Sequence, residues 1–239
     1  MTNPFLLALQ RRDRLSPEEV LIVESLSRKT RTVPARSDLV VQGDSPRESS
    51  LLLAGAAARY NIIGDGKRQI SALHFAGDFV DLHSLLLQSM DHSVLALTDC
   101  QVAGVPHEIL REISTTHPHL TRLLWLFTVI DAAIFRQWLV AAGRRSVQAQ
   151  LAHLLCEVWT RLEIVDLVDG YTFQLPLSQT DLSDAMGLSL VHVNRTIQAM
   201  KRQRLVDWTG QVVRILNWPN LQKLAEFDPD YLQLQPAPR

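Results

Sequence analysis

The sequence predicts an α+β chain: an antiparallel β-roll of jelly-roll type, then one long helix, then a compact helix-turn-helix module with a β-hairpin wing. Three observations carry this. Between about residues 37 and 105, short apolar bursts alternate with turn chemistry. After Pro118, more than twenty residues pass without Gly or Pro. From Leu177 to Leu216, two segments with one apolar face each flank a glycine.

Bulk properties bound the class. A chain of 239 residues fits one large or two modest domains, since domains commonly run ~100–200 residues. Hydrophobic content of 46% with 21% charged residues is that of a globular protein with a full core. No charge-free stretch approaches the ~18 residues of a membrane helix. The N-terminal MTNPFLLALQRRDRLS lacks a signal-peptide design. Two cysteines, Cys100 and Cys156, exclude a disulfide framework and a thiolate metal site. A cytoplasmic protein without a membrane partner is expected.

The net charge of −1 conceals a polarity along the chain. Asp78 to Glu112 holds six acidic residues against one basic, whereas Ala185 to Arg214 holds five basic against one acidic. Unevenly solvated faces would produce this, and so would two modules of which the second meets a polyanion.

The β-roll rests on DLVVQGDSP, SSLLLAGAAARYNIIGDGK, QISALHFAGDF, SVLAL and CQVAGV, cut by Gly43-Asp44, Gly64-Asp65-Gly66 and Gly77-Asp78. Short apolar runs between Gly-Asp turns are the pattern of antiparallel strands. NIIGDGKRQI reads as a hairpin.

In HLTRLLWLFTVIDAAIFRQWLVAAGRR, Leu120, Leu123, Phe127, Ile130, Ile134, Gln137 and Ala141 step alternately by 3 and 4. This is an a/d seam. Leu126, Val129, Ala133 and Val140 supply a second apolar face. A helix apolar on two faces must bury both, and the economical partner for the seam is a second copy of the chain. Gln137 would then fix register. Burial of the whole helix within one protomer is the alternative. Gly143 is expected to end it, and Ser146 to cap a next helix whose apolar face is Leu151, Leu154, Leu155, Val158 and Leu162. Tyr171 to Leu175 reads as a strand.

LSQTDLSDAMGLSLVHVNRTIQAMKRQRLVDWTGQVVRIL then parses from its local chemistry. Ser178 and Asp181 form a capping box that opens a helix through Met186. Gly187 supplies a left-handed turn residue. Ser189 caps a second helix to about Arg202. Leu182, Ala185, Val193, Ile197 and Met200 make the shared core. A hairpin turning at Thr209-Gly210 forms the wing. Two short helices at a glycine turn, the second basic, predict a DNA-reading unit, with a helical hairpin of purely structural use as the alternative.

This order of elements, and above all GLS followed by VNRTI, resembles the bacterial regulators named for the cyclic-AMP receptor protein and the fumarate-nitrate reduction regulator. The resemblance spans roughly Leu39 to Leu224. It implies a cyclic-nucleotide-binding-like sensory β-roll over 1–117, a dimerisation helix over 118–143, a winged helix-turn-helix over 144–226 and a tail over 227–239. It also implies a homodimer on an inverted repeat of double-stranded DNA, with RNA polymerase as a further partner. Carried over, Arg195 reads guanine, with Leu190, Val191 and Asn194 facing the bases. Gln179 and Ser189 stand at the helix starts, and Lys201, Arg202 and Arg214 are placed for phosphates. The apolar pair Leu190 and Val191 departs from the Arg and Glu of the cyclic-AMP receptor and suits thymine methyls.

The same resemblance places GDFVDLHSLLLQSMDHSV on the family's phosphate cassette. Leu82 stands where a Glu takes the ribose hydroxyl, and His92 where an Arg pairs the cyclic phosphate. Ser93 is retained, and Val94 replaces Ala. A mostly neutral imidazole is a poor substitute for a bidentate guanidinium, so cyclic AMP is not the expected effector. The iron–sulfur cluster of the oxygen-sensing branch needs N-terminal cysteines, and the first here is Cys100. No cofactor is predicted. Asp81, Leu82, His83, His92 and Ser93 remain as effector candidates for an unidentified ligand, or as surface polar residues. A metal, although the spacing matches no fixed site, and haem through a His stay open as alternative effectors of the roll. A β-roll metalloenzyme would need three or more convergent ligands, and an adaptor that dimerises without touching DNA would not need the basic helix. A non-enzymatic DNA-binding regulator is the expectation.

Overall fold

The computed structural model describes residues 3–238; Met1, Thr2 and Arg239, at the ends of the expected first domain and tail, lie outside the described residues. Two helices absent from the sequence reading come first, α1 (Pro4–Gln10) and α2 (Pro17–Leu26). Their signals are local. The Asn3 side chain accepts from the amides of Phe5 and Leu6, and Ser16 with Glu19 completes a capping box, each followed by proline in the first turn. Phe5 and Leu9 are fully buried.

The roll is made of β1 (Thr30–Val33), β2 (Asp38–Val40), β3 (Glu48–Ala54), β4 (Ala56–Ile62), β5 (Arg68–Phe75), β6 (Ser93–Ala96) and β7 (Cys100–Pro106). They form two antiparallel sheets, ordered β1-β7-β3 and β2-β6-β4-β5. The expected hairpin joins β4 to β5 with Ile62 opposite Arg68. Leu52, Ala57, Val80, Val94 and Val102, all fully buried, belong to one cluster fed by both sheets.

After α3 (His107–Thr116), α4 runs from Pro118 to Arg144. It continues through Gly143, because a glycine inside a helix lowers its stability without ending it. Ser146 caps α5 (Val147–Glu163) by accepting from the Ala149 amide. Then follow β8 (Val168–Asp169), β9 (Thr172–Gln174), α6 (Gln179–Met186), α7 (Leu190–Arg202), β10 (Val206–Thr209), β11 (Val212–Ile215) and α8 (Trp218–Ala225). The strands form one sheet, β10-β11-β9-β8. The C-terminal stretch is anchored, with Leu232 fully buried.

The 3-4 seam of α4 turns inward, with Gln137 half-buried on it. Leu120, Leu123, Ile130, Ile134 and Ala141 are buried within this protomer, and Phe127 packs on the cluster that holds Leu120 and Leu123. Heptad spacing says which side chains share a face, not what covers it. The large apolar side chains left in solvent are on the other side: Trp125 (69% exposed), Phe135 (50%), Leu139 (65%), with Val129 and Val140. By length and composition this helix could also cross a membrane, at a mean hydropathy of 1.5 in a window only 22% buried.

Two ionic junctions join the modules. Arg161 of α5 donates to the Asp78 carboxylate (2.7 Å), the Leu73 carbonyl (2.8 Å) and the fully buried Glu157 (3.2 Å). Glu157 also accepts from Trp138 of α4 (3.2 Å) and from the Tyr231 hydroxyl of the tail (3.0 Å). At the second junction, Arg36 grips Asp181 of α6 with two bonds (3.1 and 3.0 Å). Arg68 of β5 bridges Asp181 (2.6 Å) and Asp184 (2.8 Å). Burial alone would raise the Asp181 pKa, but the bonds from Arg36, Ser178 and Arg68 outweigh it and hold the carboxyl well below its usual range.

Removing one member of a buried ion pair strands the other. Arg161→Leu is expected to lower the unfolding free energy by ~3–5 kcal/mol in chemical denaturation. Adding Glu157→Leu should restore part of that loss, and a double variant less stable than the single one would contradict this assignment.

Candidate nucleic-acid interface and sensor cleft

Caps and a glycine position the α6–α7 pair. The Ser178 hydroxyl accepts from the Asp181 amide (3.0 Å), and the Asp181 carboxylate accepts from the Ser178 amide (3.0 Å). Gly187 takes the turn at φ +65°, where a side chain would be strained. Ser189 then accepts from the His192 amide (3.4 Å) to start α7. Leu182, Ala185, Val193, Ile197 and Met200 are buried between the helices and the sheet.

The outward face of α7 shows Leu190 (47% exposed), Val191 (58% exposed), Asn194, Arg195, Gln198 and Arg202. Gln198 was missed in the sequence, although its offset of four from Asn194 sets it on the same stripe. Gln179 and Ser189 are exposed at the helix starts, and Asn194 donates to Gln179 (3.4 Å) across the turn. Among the described residues, Arg195, Arg202 and Arg214 have no side-chain hydrogen bond or ion pair and stand in solvent. Lys201 differs from expectation. Its ammonium donates to the Trp208 carbonyl (3.0 Å) and pairs with Asp207 (3.4 Å), so it ties α7 to the wing. The wing turns through Gly210 at φ +60°, with Arg214 opposite Asp207.

The 77–94 stretch splits the effector candidates. Asp81 is 1% exposed and accepts from the Ser50 amide, so its carboxylate serves the backbone of β3. Burial pushes its pKa from 3.8 up to about 6, against the lowering effect of that bond. Leu82 is buried in the core beneath α1 and α4, and Ser93 accepts from the Gln42 amide (3.0 Å). His83 and His92 do come together, ring centroids 5.1 Å apart, and Asp91 joins them with its Oδ1 2.7 Å from His92 Nδ1. Burial, then the charge of Arg59, lowers the His83 pKa to about 4. The same two causes lower that of His92 against the opposing pull of Asp91. Both rings are neutral at pH 7. Arg59 of β4 pairs with Asp131 of α4 (2.8 Å) and donates to the Val80 carbonyl (3.4 Å). Neither residue was singled out in the sequence, where 72 positions separate them.

Residues 30–117 match the family described as cyclic nucleotide-binding domain, and residues 149–224 that described as Crp-like helix-turn-helix domain. The chain is 26% identical to the transcriptional activator protein FnrL of Cereibacter sphaeroides, over 83% of this chain and 80% of that protein. It is 22% identical to the fumarate and nitrate reduction regulatory protein of Vibrio cholerae, over 88% of this chain and 84% of that one. The structure of FixK2 from Bradyrhizobium japonicum superposes with a TM-score of 0.75 at 23% identity, covering 82% of this chain and 96% of that one.

The folded Asp81 carboxyl keeps its proton to about pH 6, while the unfolded one releases it near 3.8. Its contribution to stability is therefore full below pH 3.8 and is lost as the pH rises to 6. Asp81→Asn keeps the acceptor for Ser50. It is expected to raise stability above pH 6 by up to about 3 kcal/mol and to flatten the pH dependence between 4 and 6 in thermal melts. An Asn variant with an unchanged profile would refute the burial argument.

Proposed function

As the chain belongs to the family of transcription regulators named for the cyclic-AMP receptor protein and the fumarate-nitrate reduction regulator, we propose that it is a homodimeric, cytoplasmic, sequence-specific regulator reading an inverted repeat. The observation that carries this is the exposed stripe of α7, which presents hydrogen-bonding and cationic groups to solvent on a capped helix. Arg195 has the donors to bridge O6 and N7 of one guanine, Leu190 and Val191 suit thymine methyls, and Asn194 and Gln198 offer amides to base edges. Arg202 and Arg214 are free for phosphates, whereas Lys201 holds the wing. RNA polymerase is the further partner proposed for this role.

The proposed dimer forms through the exposed face of α4: Trp125, Val129, Ala132, Phe135 and Leu139. A stripe of this kind in water calls for a cover, and closed twofold pairing supplies one. The roll acts as a sensor that does not take cyclic AMP. At the cassette positions, Leu82 is buried without an acceptor and His92 is held neutral. An iron–sulfur cluster is not expected either, as Cys100 and Cys156 are both buried. The reading implies no catalytic role.

DNA selected from genomic fragments should contain an inverted repeat with half-site centres ~10–10.5 bp apart. Arg195→Ala is expected to cost ~1–3 kcal/mol and to relax one base pair per half-site. Arg202→Ala should weaken all sequences alike and reduce the slope of log affinity against log salt by about one. Lys201→Ala should leave that slope nearly unchanged. An unaltered selected motif with Arg195→Ala would overturn the base-reading role.

Phe135→Asp with Leu139→Asp should yield monomers in sedimentation and abolish operator binding. A double variant that stays dimeric would place the interface elsewhere. Titration of cyclic AMP in a calorimeter should give no heat of binding, and micromolar affinity would reject this account of the cassette.

A further inference from the structure

We infer that His83, Asp91 and His92 form a binding site for a divalent first-row transition metal of the zinc type. One ligand atom from each lies within 4.8 Å of the others. Zinc bound at ~2.0–2.2 Å by nitrogen and oxygen sets its ligand atoms somewhat closer than this, so small side-chain rotations close the set. Two imidazoles and one carboxylate are the donor types such ions select over magnesium or calcium, which prefer all-oxygen shells.

A second observation points to a ligand. His92 is 5% exposed, and its Nε2 has no hydrogen-bond partner. Neither ring nitrogen of His83 has a hydrogen-bond partner among the described residues. Buried imidazole nitrogens are normally satisfied, and Nε2 of His92 is not, with the half-buried His83 ring beside it. Asp91 is 79% exposed and supplies the anionic ligand at the mouth. Asn61 donates to the Asp91 carbonyl (2.8 Å) and steadies the segment. Three protein ligands leave a further position open to water or a small molecule. The nearby positive charge of Arg59 opposes a cation, but Asp131 pairs with that guanidinium at 2.8 Å and offsets it.

Arg59 also gives the site an outlet. A new double positive charge beside it acts on the Arg59–Asp131 pair, which ties the roll to α4. The use of the metal as a signal rests on the regulator reading above, whereas the existence of the site does not.

The test is a titration of the purified chain with cobalt(II), read by its visible absorption, with no DNA present. The expected result is one ion per chain, with the bands of nitrogen- and oxygen-ligated cobalt, displaced by zinc. His83→Gln and His92→Gln should each weaken binding at least about tenfold, and together abolish it. Asp91→Asn, at a largely exposed position that leaves the fold intact, should weaken it as well. His192→Ala, on α7, should change nothing. Absence of binding at micromolar cobalt, or binding that survives the Asp91→Asn and double-His variants, would overturn the site. Operator affinity measured separately, with and without zinc, tests the signal. A metal bound without any change in affinity overturns the signalling role while leaving both the site and the regulator reading in place.

Discussion

Arg161 is the point on which the assembly of this chain depends. Its guanidinium is 10% exposed and meets a carboxylate of the roll, a carbonyl at the end of β5 and a fully buried carboxylate on its own helix. Burying such charges costs more than most contacts return unless every donor finds an acceptor. Here Trp138 and Tyr231 complete the acceptor side, drawing α4 and the C-terminal stretch to the same spot. Sheet, long helix, α5 and tail thus share one electrostatic centre. A hydrophobic replacement could hold them together, but with less constraint on angle, because apolar contact is non-directional.

The second junction works on the reading head. Asp181 caps its own helix and receives two arginines from the roll, so one carboxylate sets both the start of α6 and its attachment. Arg36 is half-exposed and Arg68 mostly buried, so the two contacts differ in their sensitivity to salt. β5 and α6 are thus joined by hydrogen bonds as well as by the apolar cluster that holds Ile70, Leu182 and Ala185.

What was legible in the sequence was local. The capping box at Ser178, the turn at Gly187, the cap at Ser189 and the apolar face beneath them use side chains within a few positions of the backbone they satisfy. The family resemblance rests on that stretch. The caps at Asn3 and Ser16 are equally local, but no long apolar period follows them to mark a helix. Long-range arrangement was not legible. The seam of α4 was visible as a face, but whether the roll or a copy would cover it depends on where α3, α5 and β5 pack. The pairing of His83 with His92 needs a loop to fold back on itself, and Arg59 with Asp131 needs two modules to meet. Lys201 looked like a phosphate ligand until the wing folded against it. Asp81 looked like a ligand group until its carboxylate was taken by the Ser50 amide.

The bare stripe on α4 has a consequence for the life of the chain before it acts. A newly made protomer displays Trp125, Phe135 and Leu139 on a helix whose composition would suit lipid as well as protein. Left uncovered, such a stripe is open to any apolar surface it meets. If pairing covers it, the native form gains from mass action, so stability rises with the number of copies in the cell. Synthesis rate would then set how much protein is present and also what fraction of it survives long enough to pair.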